Sequence, residues 1–335
     1  MKPTSETETE TEIAIIIVNY NTAELALRAI ESVLAHSHGG RTTEIHLVDN
    51  ASPDGDGAIL ADEIVARGWE PQVTLHQEGV NLGFGHGNNV VLQQLVSRPT
   101  PPQYVFLLNP DARLENEAIA ILSGFLDIHP SAAAAGARIE KPDGTPVTAA
   151  FRFPGIISTF SAALSFGPVS RLLAHWQVPI PPDTPTAPVD WVSGAAVMLR
   201  ISALQRTGFF DPAFFLYFEE TDLMLRLARQ GGQIWHVHEA QVIHVEGAAT
   251  DVQSGRAERR RLPAYWYVSW QYYFRKNHGR TVAIVAVLVW LLGAVLNRLI
   301  SALRGKQPSA PRRFYRDFWA NAVSTLLGLK ATSHE

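Results

Sequence analysis

The stretch "YVFLLNPDARLENEA" (Tyr104–Ala118) begins with a short apolar, strand-forming run that ends at Asn109-Pro110-Asp111. A continuous apolar run of this length is typical of a strand that is covered on both faces. Proline fixes its own φ and restricts the residue before it, so the backbone sets the direction of the Asp111 carboxylate. The sequence therefore predicts a buried strand that presents a carboxylate at its end.

Three earlier segments repeat this arrangement. Strands predicted at "IAIIIV", "EIHLVD" and "QVTLHQ" are followed by predicted helices over residues 22–35, 57–67 and about 87–96. The helix after "YVFLLN" is predicted over residues 116–128. Four β-then-α units predict an α/β fold with a doubly wound, mostly parallel, Rossmann-like sheet.

After residue 130 the regular alternation stops. The sequence predicts a hairpin at "IEKPDGTPVT", helices over residues 155–176, a proline-rich loop at "PIPPDTPTAP" and a helix over residues 220–229. Further strands are predicted at "WVSGAAVMLRI", "QIWHVHE" and "QVIHV". We expect this second half to pack onto the first sheet rather than to fold alone.

Composition excludes some chemistry and divides the chain by charge. The 335 residues include no cysteine, which excludes disulfides, thiolate metal sites and cysteine nucleophiles. Residues 1–250 carry 14 basic and 28 acidic side chains, whereas residues 251–335 carry 14 basic and 4 acidic ones. The N-terminal "MKPTSETETETE" lacks the apolar core of a secretory signal and is predicted to be a disordered tail.

Polar or glycine-rich segments follow all four predicted strands of the first half: "VNYNT", "VDNAS", "NLGFGHGNN" and "LNPDA". Open α/β sheets bind ligands outside the carboxyl ends of their strands. We therefore expect Asn19, Asp49, Asn50, Asn81 and Asp111 to converge on one edge. Any one of them alone is explained as a turn or helix-cap residue.

The glycines of "NLGFGHGNN" permit a phosphate to approach the backbone, but their G-x-G-x-G spacing after the third strand differs from a dinucleotide fingerprint. This mismatch disfavours a hydride-transferring enzyme. Asp111 suits a hard cation, Mg²⁺ or Mn²⁺, which takes one or two carboxylates together with substrate phosphates.

Together, these motifs resemble the family 2 glycosyltransferases of GT-A fold, and most closely their rhamnosyltransferase-like branch. The resemblance covers residues 13–251 and rests on "IIIVNYNT", "LVDNASPDG", "NLGFGHGNN", "LLNPDA", "VSGAAVMLR", "GFFDPAFFLYFEETDLMLR" and "VIHVEGAAT". It implies that Asp111 and His244 bind the metal. The nucleotide-sugar ligands that it implies are Asn19, Asp49, Asn50, Asn81, Gly83, Phe84, Asn88 and Asn109.

Two departures from the family pattern concern the charged residues. The first position of the Asp-x-Asp element is Asn109 here, so we expect Asp111 to make the charged contact. The catalytic segment, Glu-Asp-x-Asp in similar enzymes, reads "EETD", which places Glu220 at the position of the general base and Asp222 as the next candidate. Acidic residues also stabilise a helix N-terminus without any catalytic role.

Three histidines, His236, His238 and His244, raise the alternative of a zinc site. The helical H-E-x-x-H pattern and cysteine ligands are both absent from the sequence, which disfavours zinc. His236 and His238 are interpreted as ordinary strand residues.

The C-terminal region is basic, aromatic and apolar. Its run from Thr281 to Leu296 is 16 residues long, or about 24 Å as a helix, against ~30 Å of bilayer hydrocarbon. "FYRDFWANAVSTLLGL" adds a helix with Phe318, Trp319, Ala322, Val323 and Leu326 on one face. We predict a tail that lies in or dips into a membrane surface; a soluble core helix is the alternative, and nucleic acid is not an expected partner.

The resemblance implies an inverting, metal-dependent glycosyltransferase that uses a dTDP- or UDP-sugar, with rhamnose as a candidate sugar, in cell-surface polysaccharide synthesis. The expected acceptor is a saccharide or a lipid-linked saccharide, and the expected location is the cytoplasmic side of the inner membrane. The expected organisation is a disordered tail (1–12), a nucleotide-sugar-binding half (13–130), an acceptor and catalytic half (131–252) and a membrane-associated tail (253–335).

Two alternatives stay open at this point. A sugar-nucleotide nucleotidyltransferase shares the sheet and the metal, but "VNYNTAEL" lacks the basic residue that such an enzyme needs near its first strand. A non-catalytic, membrane-associated sugar-nucleotide-binding protein is the other alternative, which the substitutions at Asn109 and Glu220 favour slightly.

Overall fold

The structure is a computed structural model that describes residues 11–245 and 261–329. One mixed sheet forms its centre. Its strands are β1 (Ile13–Asn19), β2 (Thr43–Asp49), β3 (Val73–Gln77), β4 (Tyr104–Leu108), β5 (Ala112–Leu114), β6 (Ala132–Glu140), β7 (Pro146–Val147), β9 (Ala187–Val189), β11 (Ala196–Arg200) and β12 (Gln233–His244). A separate antiparallel pair joins β8 (Ala150–Phe151) to β10 (Trp191–Val192).

Helices cover the sheet and extend beyond it. They are α1 (Ala23–Leu34), α2 (Asp56–Ala66), α3 (Phe84–Val96), α4 (Ala118–Ile128), α5 (Ile156–Leu164), α6 (Gly167–Leu172), α7 (Ile201–Thr207), α8 (Glu219–Arg229), α9 (Ala264–Leu303), α10 (Phe314–Phe318) and α11 (Ser324–Leu326). Each of the five helices predicted over residues 22–128 and 220–229 is present, with ends that differ by up to three residues.

The first half of the sheet has the predicted parallel arrangement, in the order β3-β2-β1-β4. All residues of β1 and β4 are buried, as the continuous apolar runs predicted. The register pairs Asn19 with Asp49 and Ile17 with Leu108, so these strands end at the same edge. The polar segments after β1, β2 and β4 are thereby brought together.

The second half continues the same sheet but is mixed in direction. β11 runs antiparallel between β4 and β6, and β12 is parallel to β6. The two strands predicted at "QIWHVHE" and "QVIHV" are a single strand, β12, with an irregularity between Val237 and Gln241. Because β11 pairs directly with β4, the second half completes the first sheet, as expected.

Alternate side chains of β1 face two separate cores. Ile13, Ile15 and Ile17 pack with the helices α1, α2 and α4. Ala14, Ile16 and Val18 pack with α3, α7 and α8. Successive strand side chains point to opposite faces, so a strand covered on both sides has to be apolar at every position.

The C-terminal helices form a third core with many aromatic rings, including Tyr267, Trp270 and Phe318. α9 is divided at Gly279, whose φ of +85° breaks the helical path. After the break, α9 lies on α5: a Cβ on Gly293 would come within 2.7 Å of the Ala163 Cβ. Only a glycine permits this close approach of the two helices.

The single helix predicted at "FYRDFWANAVSTLLGL" is only partly confirmed. α10 is followed by a π-helical turn, Trp319–Val323, and then by α11. Phe318 and Ala322 are buried, whereas Trp319 is exposed and does not share their face. Arg261, just before α9, donates two hydrogen bonds to the Asp317 carboxylate of α10. The distances are 2.6 Å from Nε and 2.8 Å from Nη2.

Candidate active site

The ends of β1 and β2 are joined by a buried polar network around Asn19. Its amide nitrogen donates to the carboxylates of Asp49 and Asp56, both at 2.9 Å, and its amide oxygen accepts from Thr22. The Ser52 hydroxyl donates to the Asp49 Oδ1 at 2.5 Å. Of the predicted residues, Asn19 and Asp49 are thus in direct contact. Asp56, at the start of α2, was not predicted, although "NASPDGD" places an acidic residue at a helix start.

A second pair lies beside this network. The Asn50 amide donates to the Asn81 side-chain oxygen at 2.9 Å and to the Gly83 carbonyl at 3.2 Å. Asn81 also accepts from the Gly83 N–H at 2.9 Å. The Asn50 side-chain oxygen is buried and has no hydrogen-bond partner among the described residues. Buried acceptors of this kind are normally satisfied, so this one is available to a ligand.

The three glycines of "NLGFGHGNN" have packing roles that differ from the phosphate-binding role predicted for them. A Cβ on Gly85 would meet the Phe210 Cβ at 2.9 Å, and a Cβ on Gly87 would meet the Val18 Cγ1 at 2.8 Å. Gly83 has a φ of +95°, and its Cβ would lie 1.8 Å from the Phe215 carbonyl oxygen. These glycines therefore allow close packing of α3 on β1 and on the loop before α8, and the predicted approach to a phosphate stays a prediction.

Two asparagines of α3 follow these glycines. Asn88 is fully buried; its amide donates to the Phe84 carbonyl at 2.9 Å, and its side-chain oxygen has no partner among the described residues. Asn89, which was not predicted, makes two bonds to the backbone of Phe210, at 2.8 and 3.0 Å. The second Asn of "GNN" therefore holds α3 to the loop before α8.

Asn109, Asp111 and His244 lie together at the edge where β4, β5 and β12 meet. The His244 Nε2 is 2.9 Å from the Asp111 Oδ1 and 3.3 Å from the Asn109 Nδ2. The Asp111 carbonyl also accepts from the Val245 N–H at 3.0 Å. The sequence places His244 more than 130 residues from Asp111. The antiparallel pairing of His244 with Ala112 in β12 and β5 brings them into contact.

The side chains of Asn109, Asp111 and His244 offer donor types that can bind a divalent cation. One carboxylate and one imidazole converge on a point, and a half-turn of the Asn109 amide would present a third donor, its oxygen. Among residues 11–245 and 261–329 no group of three or more His, Asp or Glu side chains gathers for a metal. A cation here would take its remaining ligands from a substrate or from water.

The other two histidines lie in β12, as expected of strand residues. His236 is buried, and burial lowers the pKa of its imidazole below the usual value. The His238 ring faces Arg138 at 3.0 Å. The positive charge of Arg138 beside this ring disfavours a metal ion at His238.

Glu219 and Glu220 begin α8 with different environments. Glu219 is buried; burial first, and then the charge of Glu220, raises the pKa of its carboxyl well above the usual value. Glu220 is half-buried and reaches the Gly194 N–H at 3.4 Å. Burial also raises the pKa of Glu220. A carboxylate with a raised pKa is better matched to proton abstraction near neutral pH.

Asp222 has a structural environment. It is fully buried, and its two oxygens accept from Arg226, Lys276 and Asn277, each at 2.8 Å. Lys276 also contacts Asp211 at 2.6 Å. These bonds hold α8 against the first part of α9, so both oxygens of the second candidate base are occupied.

The chain enters α8 in an unusual conformation. Tyr217 and Phe218 have φ values of +66° and +68°, in the left-handed region that side chains with a Cβ rarely adopt. Two such residues in succession are costly, and strain of this kind clusters at functional sites. Both residues and Glu220 line the cavity described next.

A cavity of about 660 Å³ lies between α5, the start of α8 and α9. Its lining is mostly aromatic and small residues, and Glu220 is its charged group among the described residues. The aromatic lining residues are Phe151, Trp191, Tyr217, Phe218, Trp266, Trp270 and Trp290. The sequence pattern placed the tryptophans of α9 in the predicted membrane-associated tail, since nothing local indicates that they line a cavity with Glu220.

Comparisons with known proteins agree with this architecture. Residues 14–169 match the family described as Glycosyl transferase family 2, and residues 172–329 match Glycosyl transferase family group 2. An N-acetylglucosaminyl-diphospho-decaprenol L-rhamnosyltransferase of Mycobacterium tuberculosis is 30% identical over 219 residues, which cover 63% of this chain and 69% of the relative. The chain belongs to glycosyl transferase family 2.

Further relatives of this family 2 glycosyltransferase point in the same direction. Rhamnosyltransferase WbbL of Escherichia coli is 24% identical over 226 residues, which cover 63% of this chain and 82% of WbbL. The resemblance to the rhamnosyltransferase-like branch is thereby confirmed. A glycosyltransferase that uses nucleotide-sugar donors is the activity that these relatives and the fold support.

Solved structures show the fold alone. A mannosyltransferase of Pyrobaculum calidifontis, in complex with GDP-Man and Mn²⁺, superposes with a TM-score of 0.53 at 14% identity and covers 96% of this chain and 89% of its own. GalNAc-T7 with UDP, GalNAc and Mn²⁺ gives a TM-score of 0.55 at 12% identity, covering 94% and 58%. The GT-A type of fold expected from the sequence is confirmed.

Proposed function

We propose that this glycosyltransferase transfers a sugar, with rhamnose the first candidate, from a nucleotide-diphosphate sugar to a lipid-linked saccharide with inversion at the anomeric carbon. The observation that carries the proposal is the position of Glu220, a half-buried carboxylate that lines an aromatic cavity large enough for an acceptor. The names of the two rhamnosyltransferase relatives supply the candidate sugar. The decaprenol-linked substrate of one of them supplies the acceptor class.

The donor is proposed to bind along the polar edge of the sheet. Asn19 and Asp49, and next to them Asn50 and Asn81, would contact the base and ribose, with Gly83, Phe84, Asn88 and Asn109 along the rest of the nucleotide sugar. The unpartnered side-chain oxygens of Asn50 and Asn88 support this assignment, because each is an acceptor that the described residues leave unused. The candidate donor nucleotides are dTDP and UDP.

Asp111 and His244 are proposed to hold Mg²⁺ or Mn²⁺ on the diphosphate. When bound, the ion offsets the charge that develops on the leaving nucleotide diphosphate. Asp111 contributes the negative charge, and Asn109 contributes an amide where a second Asp is common. Both solved structures contain Mn²⁺, which supports the choice of ion here.

Glu220 is proposed to take the proton from the acceptor hydroxyl. As the Oε1 of Glu220 accepts this proton, the acceptor oxygen forms a bond to the anomeric carbon, and the bond from that carbon to the diphosphate oxygen breaks on the opposite face. One displacement inverts the configuration. Burial, and then the charge of Glu220, raises the pKa of the neighbouring Glu219 carboxyl.

Membrane association is proposed through α9. This helix is long and apolar enough to cross a membrane by length and composition, a criterion that a buried core helix also meets, and 33% of its most apolar window is buried. After Gly279 it carries an exposed apolar stripe at intervals of three or four residues. The stripe consists of Ile284, Leu288, Leu292, Val295, Leu299 and Leu303.

The opposite face of this helix is fastened to the enzyme. The Asn297 amide donates to the Leu164 carbonyl of α5 at 2.9 Å, and Gly293 packs against the same helix. A helix held along its length in this way lies on a membrane surface rather than crossing it. Exposed Arg298, Arg304 and Lys306 would face anionic headgroups, which favours the cytoplasmic leaflet of the inner membrane.

A donor and acceptor screen tests the function. Purified enzyme is incubated with dTDP-rhamnose or a UDP-sugar and with N-acetylglucosaminyl-diphospho-farnesol, with Mn²⁺ or with EDTA. We expect a glycosylated lipid with inverted anomeric configuration by NMR, and none with EDTA. Pyrophosphate release from a nucleoside triphosphate and a sugar 1-phosphate would instead identify a nucleotidyltransferase, and donor binding without any transfer would identify a binding protein.

Vesicle sedimentation tests the membrane proposal. Leu288→Glu together with Leu292→Glu should release the enzyme from vesicles that contain anionic phospholipid. Ile59→Glu, an exposed apolar position on α2, is the matched control and should sediment like the parent. Equal sedimentation of both variants would contradict the role of the stripe.

A further inference from the structure

The aromatic cavity contains few groups that bind charge. Apart from Glu220, its described lining offers hydroxyls and rings and includes no Lys, Arg or His. A diphosphate would be unstabilised there, because a buried anion needs cationic or hydrogen-bonding partners. The volume of about 660 Å³ is nevertheless typical of a ligand site. The cavity therefore suits an uncharged occupant of apolar or sugar-like character.

A series of ring contacts crosses the cavity from Glu220 to α9. Phe218, which directly precedes the Glu219–Glu220 pair, contacts Trp266 at 5.5 Å between centroids. Trp266 contacts Trp290 in the second part of α9, also at 5.5 Å. The Trp290 ring belongs to the face of α9 that is turned toward the enzyme, and the exposed apolar stripe lies on the other face.

The remaining walls of the cavity are made of small residues. α5 contributes Ser158, Thr159 and Ala162 to the lining, and α9 contributes Ala294, so an extended chain can lie in the cavity against small side chains. Ala162 is exposed as well as part of the lining, which places it at the mouth. α9 also carries the exposed apolar stripe, so a lipid leaving the bilayer would reach this mouth along the same helix.

We infer that the cavity between α5 and α9 holds the first isoprenoid units of a lipid-linked saccharide, and that the diphosphate and the saccharide stay outside it, where a saccharide hydroxyl reaches the half-buried Glu220. The inference rests on the proposed function, since it takes the same Glu220 as the base. It adds a chain-binding site that distinguishes this enzyme from one that recognises the saccharide alone. Trp266 and Trp290 are the residues that the chain would contact.

Fluorescence tests binding without any turnover. The parent enzyme is titrated with N-acetylglucosaminyl-diphospho-farnesol and with N-acetylglucosamine 1-phosphate as the chain-free probe. Because four tryptophans line the cavity, the farnesyl probe should change their emission at concentrations at least tenfold below those of the chain-free probe. Equal responses to both probes would overturn the chain-binding inference. This result does not depend on whether sugar transfer occurs, so a failure of the proposed function is recognised separately.

A substitution at the mouth tests the location. Ala162→Phe should raise the apparent dissociation constant and the KM for the farnesyl acceptor at least tenfold, and by clearly more than for a methyl glycoside acceptor. Ala66→Phe, at an exposed position near the end of α2, is the matched control. Parent-like values for Ala162→Phe, or an equal rise for both acceptors, would show that the chain does not lie here. Circular dichroism and thermal unfolding confirm that both variants fold.

Discussion

The polar edge of the sheet and the aromatic cavity face the same reaction but are built in opposite ways. At the edge, the last residues of the adjacent strands β1 and β2 hydrogen-bond to each other, as in the contact of Asn19 with Asp49. The cavity joins α5, α8 and α9, whose residues are up to about 150 positions apart. The comparison teaches that the donor side is defined by strand ends, whereas the acceptor side is defined by how a C-terminal helix packs onto the catalytic domain.

Glu220→Gln should have the largest effect on activity. Loss of a general base lowers kcat by about 10²–10⁴-fold, whereas donor affinity, a property of the other region, should not change. In the parent, the pKa of Glu220 is raised by burial, so kcat should rise with pH as this carboxyl loses its proton. Steady-state kinetics and donor titration measure both. If Glu220→Gln had the kcat of the parent enzyme, Glu220 would not be the general base.

Asp222→Asn should act on stability. The substitution leaves Lys276 and Arg226 without their buried partner, and breaking such a pair costs about 3–5 kcal/mol. Chemical denaturation measures the free energy of unfolding. If the variant were as stable as the parent but inactive, Asp222 and not Glu220 would be the base.

Asp111→Ala should lower transfer by about 10²–10³-fold, the range for the loss of one electrostatic stabiliser. It should also abolish the dependence of donor binding on Mn²⁺ and leave the fluorescence response to the farnesyl probe unchanged. Asp54→Ala removes an exposed carboxylate of the β2–α2 loop and is the control. Metal-independent donor binding in the parent would contradict the assignment of Asp111 and His244.

Gly83→Ala should disturb both regions at once. Gly83 belongs to the donor edge, yet its added Cβ would overlap the Phe215 carbonyl in the loop that leads to Glu220. Overpacking costs about 1–3 kcal/mol. Gly79→Ala, at a position with no atom within 4 Å of the new Cβ, is the matched control. Gly83→Ala should have a lower thermal stability and a lower kcat than Gly79→Ala. Equal values for the two variants would show that the loop containing Phe215 moves aside without cost.

Glu219→Gln should have the smallest effect, visible in the pH dependence of stability. The pKa of Glu219 is raised by burial, so its stabilisation is present at low pH and is lost as pH rises through the folded-state value. The neutral amide removes this loss, so the variant should gain stability relative to the parent as pH increases. Thermal unfolding between pH 5 and pH 9 measures the difference in stability between the variant and the parent. If this difference did not change with pH, the pKa of Glu219 would not be raised in the folded protein.

Much of the fold followed from local pattern. Continuous apolar runs such as "IAIIIV" (13–18) predicted strands covered on both faces, and both β1 and β4 are wholly buried. The glycines at 83, 85 and 87 show the limit of such reasoning. Their spacing indicated an approach to phosphate, which stays a prediction. A glycine is also required wherever two backbones, or a backbone and a side chain, pack closely, and only the structure showed that the neighbours Phe215, Phe210 and Val18 require glycine here.

By itself, the sequence determined the order of strands and helices in the first half, the polar residues at the strand ends and the membership in a glycosyltransferase family, because these depend on periodicity and on short motifs. Tertiary structure decided which distant residues meet. It brought His244 to Asp111 through the pairing of β12 with β5, occupied Asp222 with Lys276, and closed an aromatic cavity around Glu220. Such contacts join residues far apart in the chain, so no local pattern encodes them.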